Sequence, residues 1–329
     1  MPDGLAVDNR VLARLIRRVF PGAGSVSVEA AGDRRLVVVY RARVDEAVFY
    51  LRLAEEPGQD LTTDAGILDR LRTLGVSVPA VVAAEAAPAE LARSYMIVTE
   101  IPGRSLAEGG TDDEARRAAR AAGRDTAIIN SLTVAGFGWL QRTGAGSAPL
   151  TAELTSYDDF VRSYLPESWP GWLTGLFEPG HLDALEAMVE AERARVPGAA
   201  HLAHGDLDVT HIFTHAGTYR GIIDFGEMRG AERYFDLGHF LLHDGETRSV
   251  ALFGSFLAGY TEVTALPEDH REAIRVSAIL LGLRQLSLWL SPARNRSRSS
   301  RLVQLRAAEL ANLLDHKPAA RPRETARTG

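Results

Sequence analysis

The stretches HGDLDVTHIF (residues 204–213) and GIIDFG (residues 221–226) decide how this sequence is interpreted. The first places two aspartates and two histidines within ten residues, and the second carries Asp224 at the end of an apolar, strand-like run. Phosphoryl transfer needs a carboxylate that orients the attacking hydroxyl and further side chains that hold a divalent metal ion. In protein kinases a metal ligand follows the catalytic aspartate by five positions, and here His211 follows Asp206 at that spacing. The pattern indicates a phosphoryl-transfer site rather than a polar turn between strands.

Composition narrows the class of protein. The chain has 329 residues, 46% of them hydrophobic, which is enough for a large core. A net charge of −6 gives no basic surface for nucleic acid, so no nucleic-acid partner is expected. Because there is no cysteine and no leader-like start, we expect a cytoplasmic protein without disulfides. The longest apolar run, residues 277–290, contains Arg284 and is too short to span a bilayer, so we expect no membrane insertion.

The order of elements predicts two lobes. Residues 25–53 have the β-branched and aromatic runs of an antiparallel meander, broken at Gly32-Asp33 and Asp45-Glu46, and a helix around residues 67–71 and a strand at 94–101 follow. Beyond Pro102 the pattern becomes helical, and its long helices are predicted at roughly 112–132, 180–195, 249–264, 268–291 and 300–315, around a short-strand region at 201–224. We therefore predict an α+β protein with an N-terminal lobe (1–101), a helical C-terminal lobe (102–316) and a disordered tail (317–329).

Several motifs in sequence order resemble one family. VFYLRL (48–53), MIVTEIPGRSL (96–106), GFGWL (136–140) and the two stretches quoted above are similar to the aminoglycoside and macrolide phosphotransferase family, which are small-molecule kinases. The resemblance implies a protein-kinase-like two-lobed fold, with a small antiparallel β-rich N-terminal lobe and a larger, mainly helical C-terminal lobe. It covers most of the chain.

The resemblance also implies roles in the catalytic loop. Asp206 would be the catalytic base, with His204 supporting the loop and Asp236 stabilising it as a structural acid. Asp224 and His211 would hold Mg²⁺, although His211 stands where the family most often has Asn and imidazole is a poorer ligand for Mg²⁺. Macrolide and aminoglycoside 2''-phosphotransferases resemble this sequence in having His there, and several of them favour GTP. The expected phosphate donor is therefore GTP or ATP.

The small lobe departs from the family pattern. Arg52 occupies the position of the usual phosphate-binding Lys, and Asp64 that of its Glu partner, so we predict a compensated Arg52–Asp64 ion pair that places the phosphates. The backbone of Glu100 and Ile101 would meet the nucleotide base at the hinge. Gly32 would touch phosphate if its turn is the phosphate-covering loop, and a plain hairpin turn is the alternative.

The acceptor site is less determined. Trp169 and Trp172 either stack on a substrate ring or pack in the core. Acidic residues near the catalytic loop would receive a cationic aminoglycoside, or are simply solvated; they are Asp208, Glu227, Asp244 and Glu246. Six of the nine histidines lie between residues 201 and 243, but they are spread over strand and loop rather than one helix face, which argues against zinc. His239 is interpreted as a hydrogen-bonded core residue.

Together these features predict a nucleotide- and magnesium-dependent O-phosphotransferase that modifies, and so inactivates, a small-molecule antibiotic such as an aminoglycoside, a macrolide or a nucleoside of the capuramycin type. The expected partners are a nucleoside triphosphate and that small molecule, with a monomer or homodimer as the assembly. Two alternatives stay open at this point: a housekeeping kinase of a small metabolite, and a kinase-like binding module without catalysis.

Overall fold

The N-terminal part of the chain forms a five-stranded antiparallel sheet with two helices. The computed structural model describes residues 7–31, 39–55, 58–89, 91–143, 149–291 and 300–315. The strand order is β1-β2-β3-β5-β4. Asp45 has φ 51 between β2 and β3, where the sequence predicted a break, while the break at Gly32 lies outside the described residues. The elements are α1 (Asn9–Val19), β1 (Val26–Ala30), β2 (Val39–Val44), β3 (Ala47–Leu53), α2 (Thr62–Thr73), β4 (Val81–Glu85) and β5 (Tyr95–Thr99).

Helices cover this sheet because their apolar residues recur at helical spacing. Leu12, Leu15 and Ile16 of α1 are fully buried against the sheet residues Leu51 and Ile97. The other helix, α2, buries Ile67, Leu68 and Leu71 in the main core of the protein. The apolar face of α2 therefore belongs to both parts of the chain, which places this helix beside the cleft between them.

The C-terminal part is mainly helical and contains two small sheets. The helices predicted at 112–132, 180–195, 249–264, 268–291 and 300–315 are all present. The elements are β6 (Arg104–Ser105), α3 (Asp112–Ile129), β7 (Thr133–Ala135), β8 (Phe137–Leu140), β9 (Leu150–Leu154), α4 (Tyr157–Tyr164), α5 (Trp169–Leu173), α6 (Pro179–Ala194), β10 (Ala200–Ala203), β11 (Ile212–His215), β12 (Thr218–Ile222), β13 (Arg229–Ala231), α7 (Phe235–His243), α8 (Phe253–Val263), α9 (His270–Leu290) and α10 (Ser300–Asp315).

The alanine-rich helix α3 is the centre of this part. A capping box between Thr111 and Glu114 starts it. It packs closely on α8 through glycines: a Cβ added at Gly123 would lie 2.0 Å from the Phe256 carbonyl oxygen, and one at Gly259 would lie 1.8 Å from the Arg120 carbonyl oxygen. Larger side chains would push the two helices apart. This packing fixes the C-terminal end of α3 next to the catalytic loop.

The two small sheets connect the sequence motifs. One is a closed barrel in the order β10-β13-β8-β9-β7, and the other has the order β12-β11-β6. In the β11–β12 hairpin Ile212 pairs with Ile222, and the Ile223 amide donates to the His211 carbonyl oxygen at 3.0 Å. The hairpin therefore brings His211 opposite Asp224. The strands β7–β9 were not predicted, because their short apolar runs carry no clear period.

Helix α9 extends beyond the apolar run noticed in the sequence. By length and composition alone it is the one helix of the described residues that is long and apolar enough to cross a membrane. In the structure 61% of its most apolar window is buried inside the protein. The helix packs against α7 and α10, and its buried Arg275 donates to the Leu313 carbonyl oxygen at 2.9 Å. These are the contacts of a core helix.

The fold class is α+β, as predicted, with the antiparallel sheet in the N-terminal part and most helices in the C-terminal part. The predicted tail (317–329) and most of the basic segment at 293–301 lie outside the described residues. The division of the chain at residues 101 and 102 stays a prediction.

Candidate active site

The loop that carries Asp206 is held by one buried carboxylate. Asp236 is fully buried and accepts from the backbone amides of His204 at 2.9 Å and Gly205 at 3.0 Å. It also accepts from the Asn130 side chain, at the end of α3, at 2.8 Å. Gly205 has φ 93, and a Cβ there would lie 1.9 Å from the Glu227 carbonyl oxygen, so only glycine fits. Asp236 thus fixes the backbone immediately before Asp206.

His204 ties this loop to the segment that carries Asp224. Its side chain is fully buried, and Nε2 donates to the Ile223 carbonyl oxygen at 2.9 Å. A carbonyl oxygen only accepts, so Nε2 carries the hydrogen. Burial lowers the pKa of His204, which favours the neutral ring. The neutral tautomer leaves Nδ1 facing the Asp206 amide at 3.4 Å.

His211 and Asp224 face each other beside the loop that carries Asp206. His211 Nδ1 donates to the Asp206 carbonyl oxygen at 2.7 Å, so in the neutral ring the Nε2 lone pair is free. Nε2 lies 3.8 Å from Oδ2 of Asp224, whose side chain is 60% exposed to the cleft. Asp224 has the left-handed conformation, φ 64 and ψ 62, which non-glycine residues rarely adopt. The ring and the carboxylate therefore converge from two sides of the hairpin.

Asp206 contacts a histidine that lies outside the two motifs. His239 Nε2, on α7, is 3.3 Å from Oδ1 of Asp206, while its Nδ1 is 3.1 Å from the Leu207 carbonyl oxygen. Burial acts to raise the pKa of Asp206, but the hydrogen bond and charge of His239, followed by His211 and His204, lower it to about 2. The Asp206 carboxyl is therefore ionised at neutral pH.

The side chains at this site fit a divalent ion that takes most of its ligands from phosphates and water rather than from the protein. Within the described residues there is no group of three or more His, Cys, Asp or Glu side chains able to hold a metal ion alone. A free imidazole nitrogen and an exposed carboxylate 3.8 Å apart nevertheless match a metal–nucleotide site. Mg²⁺ in such sites uses one or two carboxylates and takes its remaining ligands from phosphates and water.

An apolar pocket opens beside this floor. It has a volume of about 310 Å³, and Glu100 and Ile101 lie on its wall. Arg52 and Asp224 stand at the edge that it shares with the wider cleft. Gly32, which was predicted either to touch phosphate or to form a plain hairpin turn, lies outside the described residues. The apolar lining is formed by Val39, Tyr50, Leu68, Met96, Val98, Phe213 and Ile223.

The predicted Arg52–Asp64 ion pair is wrong. Asp64 is bound by Arg142, whose Nε donates to its carboxylate oxygens at 2.8 and 3.1 Å. Arg52 Nη2 lies 3.8 Å from a carboxylate oxygen of Glu55. It also lies close to Gly226, because a Cβ added at Gly226 would be 3.0 Å from this nitrogen. The sequence could not show this, because Arg142 lies 78 residues beyond Asp64. Arg52 and Asp64 nevertheless both line the apolar pocket, and their contact with nucleotide stays a prediction.

A wider cleft of about 880 Å³ adjoins the pocket at Arg52 and Asp224, and Asp206 lies on its wall. Its described wall contains Trp139, Glu153 and Glu227, and neither Trp169 nor Trp172 is part of it. Trp169 is 5% exposed and belongs to the core, which agrees with the packing alternative. The tryptophan on the cleft wall is Trp139, which was not singled out in the sequence as a site residue.

The acidic residues predicted near the acceptor divide into two groups. Glu227 lines the cleft and is held by Arg229 at 2.7 Å. Asp208 instead caps its own turn by accepting from the Thr210 amide at 2.7 Å, and Asp244 accepts from the Leu252 amide at 2.8 Å at the start of α8. These two carboxylates have structural partners. Glu246 pairs with His243 and Arg306.

Arg229 forms the back of the cleft wall. It is 1% exposed, and its guanidinium lies 4.4 Å from the Trp139 ring centroid. It also donates to the Tyr164 hydroxyl at 2.8 Å. The stacked cation and the hydrogen bonds fix one face of Trp139, which leaves an ordered aromatic surface on the cleft.

Comparison with known proteins identifies the family of the chain. Residues 28–275 match the model of the APH family, described as the phosphotransferase enzyme family. The chain belongs to this family. The predicted family and enzyme class, a phosphotransferase, are thereby confirmed. Comparison with curated proteins gives no sequence match.

Solved structures share the phosphotransferase fold at low identity. A ternary complex of a thermostable mutant of aminoglycoside phosphotransferase APH(4)-Ia (N203A) with AMP-PNP and hygromycin B has TM-score 0.64 and 14% identity, covering 94% of this chain and 99% of that one. Amicoumacin kinase hAmiN with AMP-PNP, Ca²⁺ and Ami has TM-score 0.60 and 17% identity, covering 88% and 89%. The GDP complex of wild-type aminoglycoside 2'-phosphotransferase-IIIa has TM-score 0.62 and 18% identity, covering 94% and 99%. These likenesses show the fold.

Four residues of the phosphotransferase site were missed in the sequence. Asn130, Trp139, Arg142 and His239 lie outside the two motifs. One signal was available for His239: it follows Asp236 by three positions on a helix, so both side chains share a face. Its interpretation as a core residue was incomplete, because the buried ring also bonds Asp206.

Proposed function

We propose that this phosphotransferase transfers the γ-phosphate of ATP or GTP to a hydroxyl group of a small-molecule antibiotic in the cytoplasm. One observation carries the proposal. The carboxylates of Asp206 and Asp224 lie on one floor, because both line the wider cleft and Asp224 also lines the apolar pocket. His211 Nε2 lies 3.8 Å from Asp224 Oδ2. A nucleotide in the pocket and an acceptor in the cleft would meet above that floor.

Asp206 is assigned as the residue that orients the acceptor hydroxyl and takes its proton. Its pKa of about 2 keeps it ionised at neutral pH, so it can accept a hydrogen bond from the hydroxyl. The hydroxyl oxygen then forms the new bond to the γ-phosphorus, while the bond from that phosphorus to the bridging oxygen breaks and the nucleoside diphosphate leaves. The contact with His239 fixes the direction of the carboxylate.

His211 and Asp224 are assigned as the protein ligands of a divalent ion. The ion is taken to be Mg²⁺, because the Asp224 carboxylate and the nucleotide phosphates offer the oxygen ligands that Mg²⁺ prefers. Bound there with the nucleotide, the ion would neutralise charge on the phosphates. The bond from His211 Nδ1 to the Asp206 carbonyl oxygen fixes the tautomer, so that Nε2 is the available nitrogen.

Arg52 is assigned to the nucleotide phosphates. Its side chain is 19% exposed and borders both the pocket and the cleft. A guanidinium presents phosphate with a bidentate fork. Glu100 and Ile101 lie at the far wall, where backbone groups would meet the base. AMP-PNP and GDP complexes of the structural neighbours support both classes of donor.

The acceptor wall favours a hydroxylated molecule that carries an amine. Trp139 offers a flat apolar surface of the kind on which sugar rings stack. Glu153 supplies negative charge on the same wall, and Glu227 there is paired with Arg229. Structural neighbours hold hygromycin B and amicoumacin. An antibiotic with amino and hydroxyl groups fits this wall better than a neutral macrolide.

A transfer assay tests the proposal. The purified enzyme is incubated with Mg²⁺, γ-labelled ATP or GTP, and panels of aminoglycosides, macrolides, capuramycin-type nucleosides and amino-sugar metabolites. We expect labelled product from an amine-bearing antibiotic, and none with Asp206→Asn. Product from a metabolite alone, with no protection of cells against any antibiotic, would instead identify a metabolite kinase. No labelled product from any panel would contradict the proposal.

A further inference from the structure

A buried arginine outside both motifs joins helix α2 to the loop that follows Asp224. Arg142 lies two residues after the end of β8, and its Nε donates to both carboxylate oxygens of Asp64 on α2. Its Nη2 donates to the Gly226 carbonyl oxygen at 2.9 Å. The Arg142 side chain is 8% exposed and that of Asp64 is 1% exposed, so water competes little for these bonds. One guanidinium therefore spans the two parts of the chain.

The backbone at Arg142 repeats the same connection. The Arg142 carbonyl oxygen accepts from the Asp60 amide, just before α2, at 3.0 Å. On the other side, Trp139 of β8 pairs with Arg229 of β13, which follows the Asp224 loop. The segment that contains β8 and Arg142 is thus hydrogen-bonded to the residues just before α2 in the N-terminal part and to β13 in the C-terminal part. A side chain at position 142 therefore contacts both parts of the chain.

The two arginines that line the cleft, Arg52 and Arg142, have different charge partners. Asp64 neutralises Arg142 within a buried pair. Arg52 meets Glu55 at 3.8 Å, and Glu55 is 58% exposed, so that contact is weak. In this chain Asp64 of α2 is therefore paired with Arg142 of the C-terminal part. The Arg52 guanidinium is left available to the nucleotide phosphates.

Asp224 needs support of this kind. Its left-handed backbone is a sparsely populated conformation, and it persists only where the surroundings hold it. The Arg142–Gly226 bond acts two residues beyond Asp224, and the His204–Ile223 bond acts one residue before it. Together they fix both ends of this short segment.

We propose that Arg142 is a positioning residue that couples the docking of α2 to the orientation of the Asp224 carboxylate. The link to catalysis rests on the proposed function, because it takes Asp224 as a metal ligand. The mechanical coupling does not, because it concerns the order of two segments, residues 62–73 and 224–228. The experiment separates the two.

Hydrogen exchange tests the coupling. Arg142→Lys keeps a charge for Asp64 but lacks the planar fork that reaches a carboxylate and a carbonyl together. A double variant, Arg142→Met with Asp64→Leu, removes the pair without leaving a buried charge. We expect both variants to fold, with amide exchange in both segments faster by on the order of tenfold. Unchanged exchange in residues 224–228 in either variant would overturn the proposal.

Metal dependence supplies the second readout. Binding of AMP-PNP and GMP-PNP is measured by calorimetry without Mg²⁺ and over a Mg²⁺ titration. For Arg142→Lys we expect metal-free binding close to wild type, with half-saturation by Mg²⁺ shifted upward about 10- to 100-fold. Equal weakening of metal-free and metal-dependent binding would indicate a merely structural role and contradict the proposal.

Arg248 offers a matched control. It also combines a carboxylate, Asp112, with the carbonyl oxygens of Leu106 and Gly109, and its side chain is 12% exposed, but it lies away from the cleft. Arg248→Lys should leave the Mg²⁺ titration unchanged. If the wild-type protein binds neither analogue, the proposed function fails, and the exchange result still decides the coupling.

Discussion

Nε2 of His239 lies 3.3 Å from Oδ1 of Asp206, while Nδ1 of the same ring faces the Leu207 carbonyl oxygen at 3.1 Å. Because the carbonyl only accepts, Nδ1 carries a hydrogen. The contact with the carboxylate is then a hydrogen bond only when a second proton lies between Nε2 and Oδ1. With that proton in place, the pair is a charge-assisted bond that holds the Asp206 carboxylate.

Replacing His239 should slow turnover with little effect on nucleotide binding. Without the ring, the Asp206 carboxylate rotates, and misplacing a catalytic group by about 1 Å costs on the order of 10²-fold in rate. We expect kcat for His239→Leu to fall by about that factor while KM for the nucleotide stays near wild type. Steady-state kinetics measure this. His181→Leu, which breaks a distant His–Asp contact of 3.0 Å with Asp315, is the control. A fall in kcat shared by both variants would count against the assignment.

His211→Asn should keep activity and change the choice of metal. Imidazole suits borderline metals, whereas an amide oxygen suits Mg²⁺. We expect the ratio of activity with Mn²⁺ to activity with Mg²⁺ to fall in His211→Asn, and His211→Leu to lose most activity with either ion. Rates at saturating nucleotide over a titration of each ion measure the effect. An unchanged Mn²⁺ to Mg²⁺ ratio would show that His211 does not bind the metal.

Arg52→Ala should weaken nucleotide binding without unfolding the protein. Charge-assisted bonds to phosphate contribute about 1.5–3 kcal/mol, so Kd should rise roughly tenfold or more. Its 3.8 Å contact with Glu55 contributes little stability, and Tm should change little. Calorimetry and thermal unfolding measure the two effects, with Arg41→Ala on β2 as the control. Because Asp64 bonds Arg142 instead, Arg52→Lys and Asp64→Glu should be additive; strong coupling between them would contradict the observed pairing.

Glu232 should make the protein less stable as pH rises. Burial raises its pKa to about 7, although a backbone bond from Tyr234 and a bond from Ser277 act in the opposite direction. The pKa of an unfolded glutamate is about 4.3, so the folded state holds the proton more tightly and stability is lost between about pH 4.3 and 7. The contribution is fully present below that window and absent above it. Glu232→Gln removes the titration.

Urea unfolding at about pH 5 and pH 8 measures this effect. We expect the loss of unfolding free energy between the two values to be smaller in Glu232→Gln than in wild type by roughly 2–3 kcal/mol. The exposed Glu186→Gln should behave like wild type. Parallel pH dependence in all three proteins would contradict the raised pKa.

The sequence was sufficient where local pattern and spacing carry the information. The helical periods of α3, α6, α8, α9 and α10, and the short distance between Asp206 and His211, are local features, and the structure has all of them. Long-range partners were not visible. Asp64 and Arg142 meet only because β8, which leads to Arg142, is bonded to other strands of the C-terminal part. Trp139 lines the cleft because it lies on the same strand. Such contacts depend on how β7, β8, β9, β10 and β13 close into a barrel, which no local period encodes.

The most direct test of the account is calorimetric binding of AMP-PNP and GMP-PNP, with and without Mg²⁺, to wild type, Asp206→Asn and Asp224→Ala. The account predicts saturable, Mg²⁺-dependent binding of at least one analogue by wild type and by Asp206→Asn, and loss of the Mg²⁺ dependence in Asp224→Ala. Binding that is absent from the wild type at millimolar concentrations of both analogues, or a full Mg²⁺ dependence retained by Asp224→Ala, would contradict it.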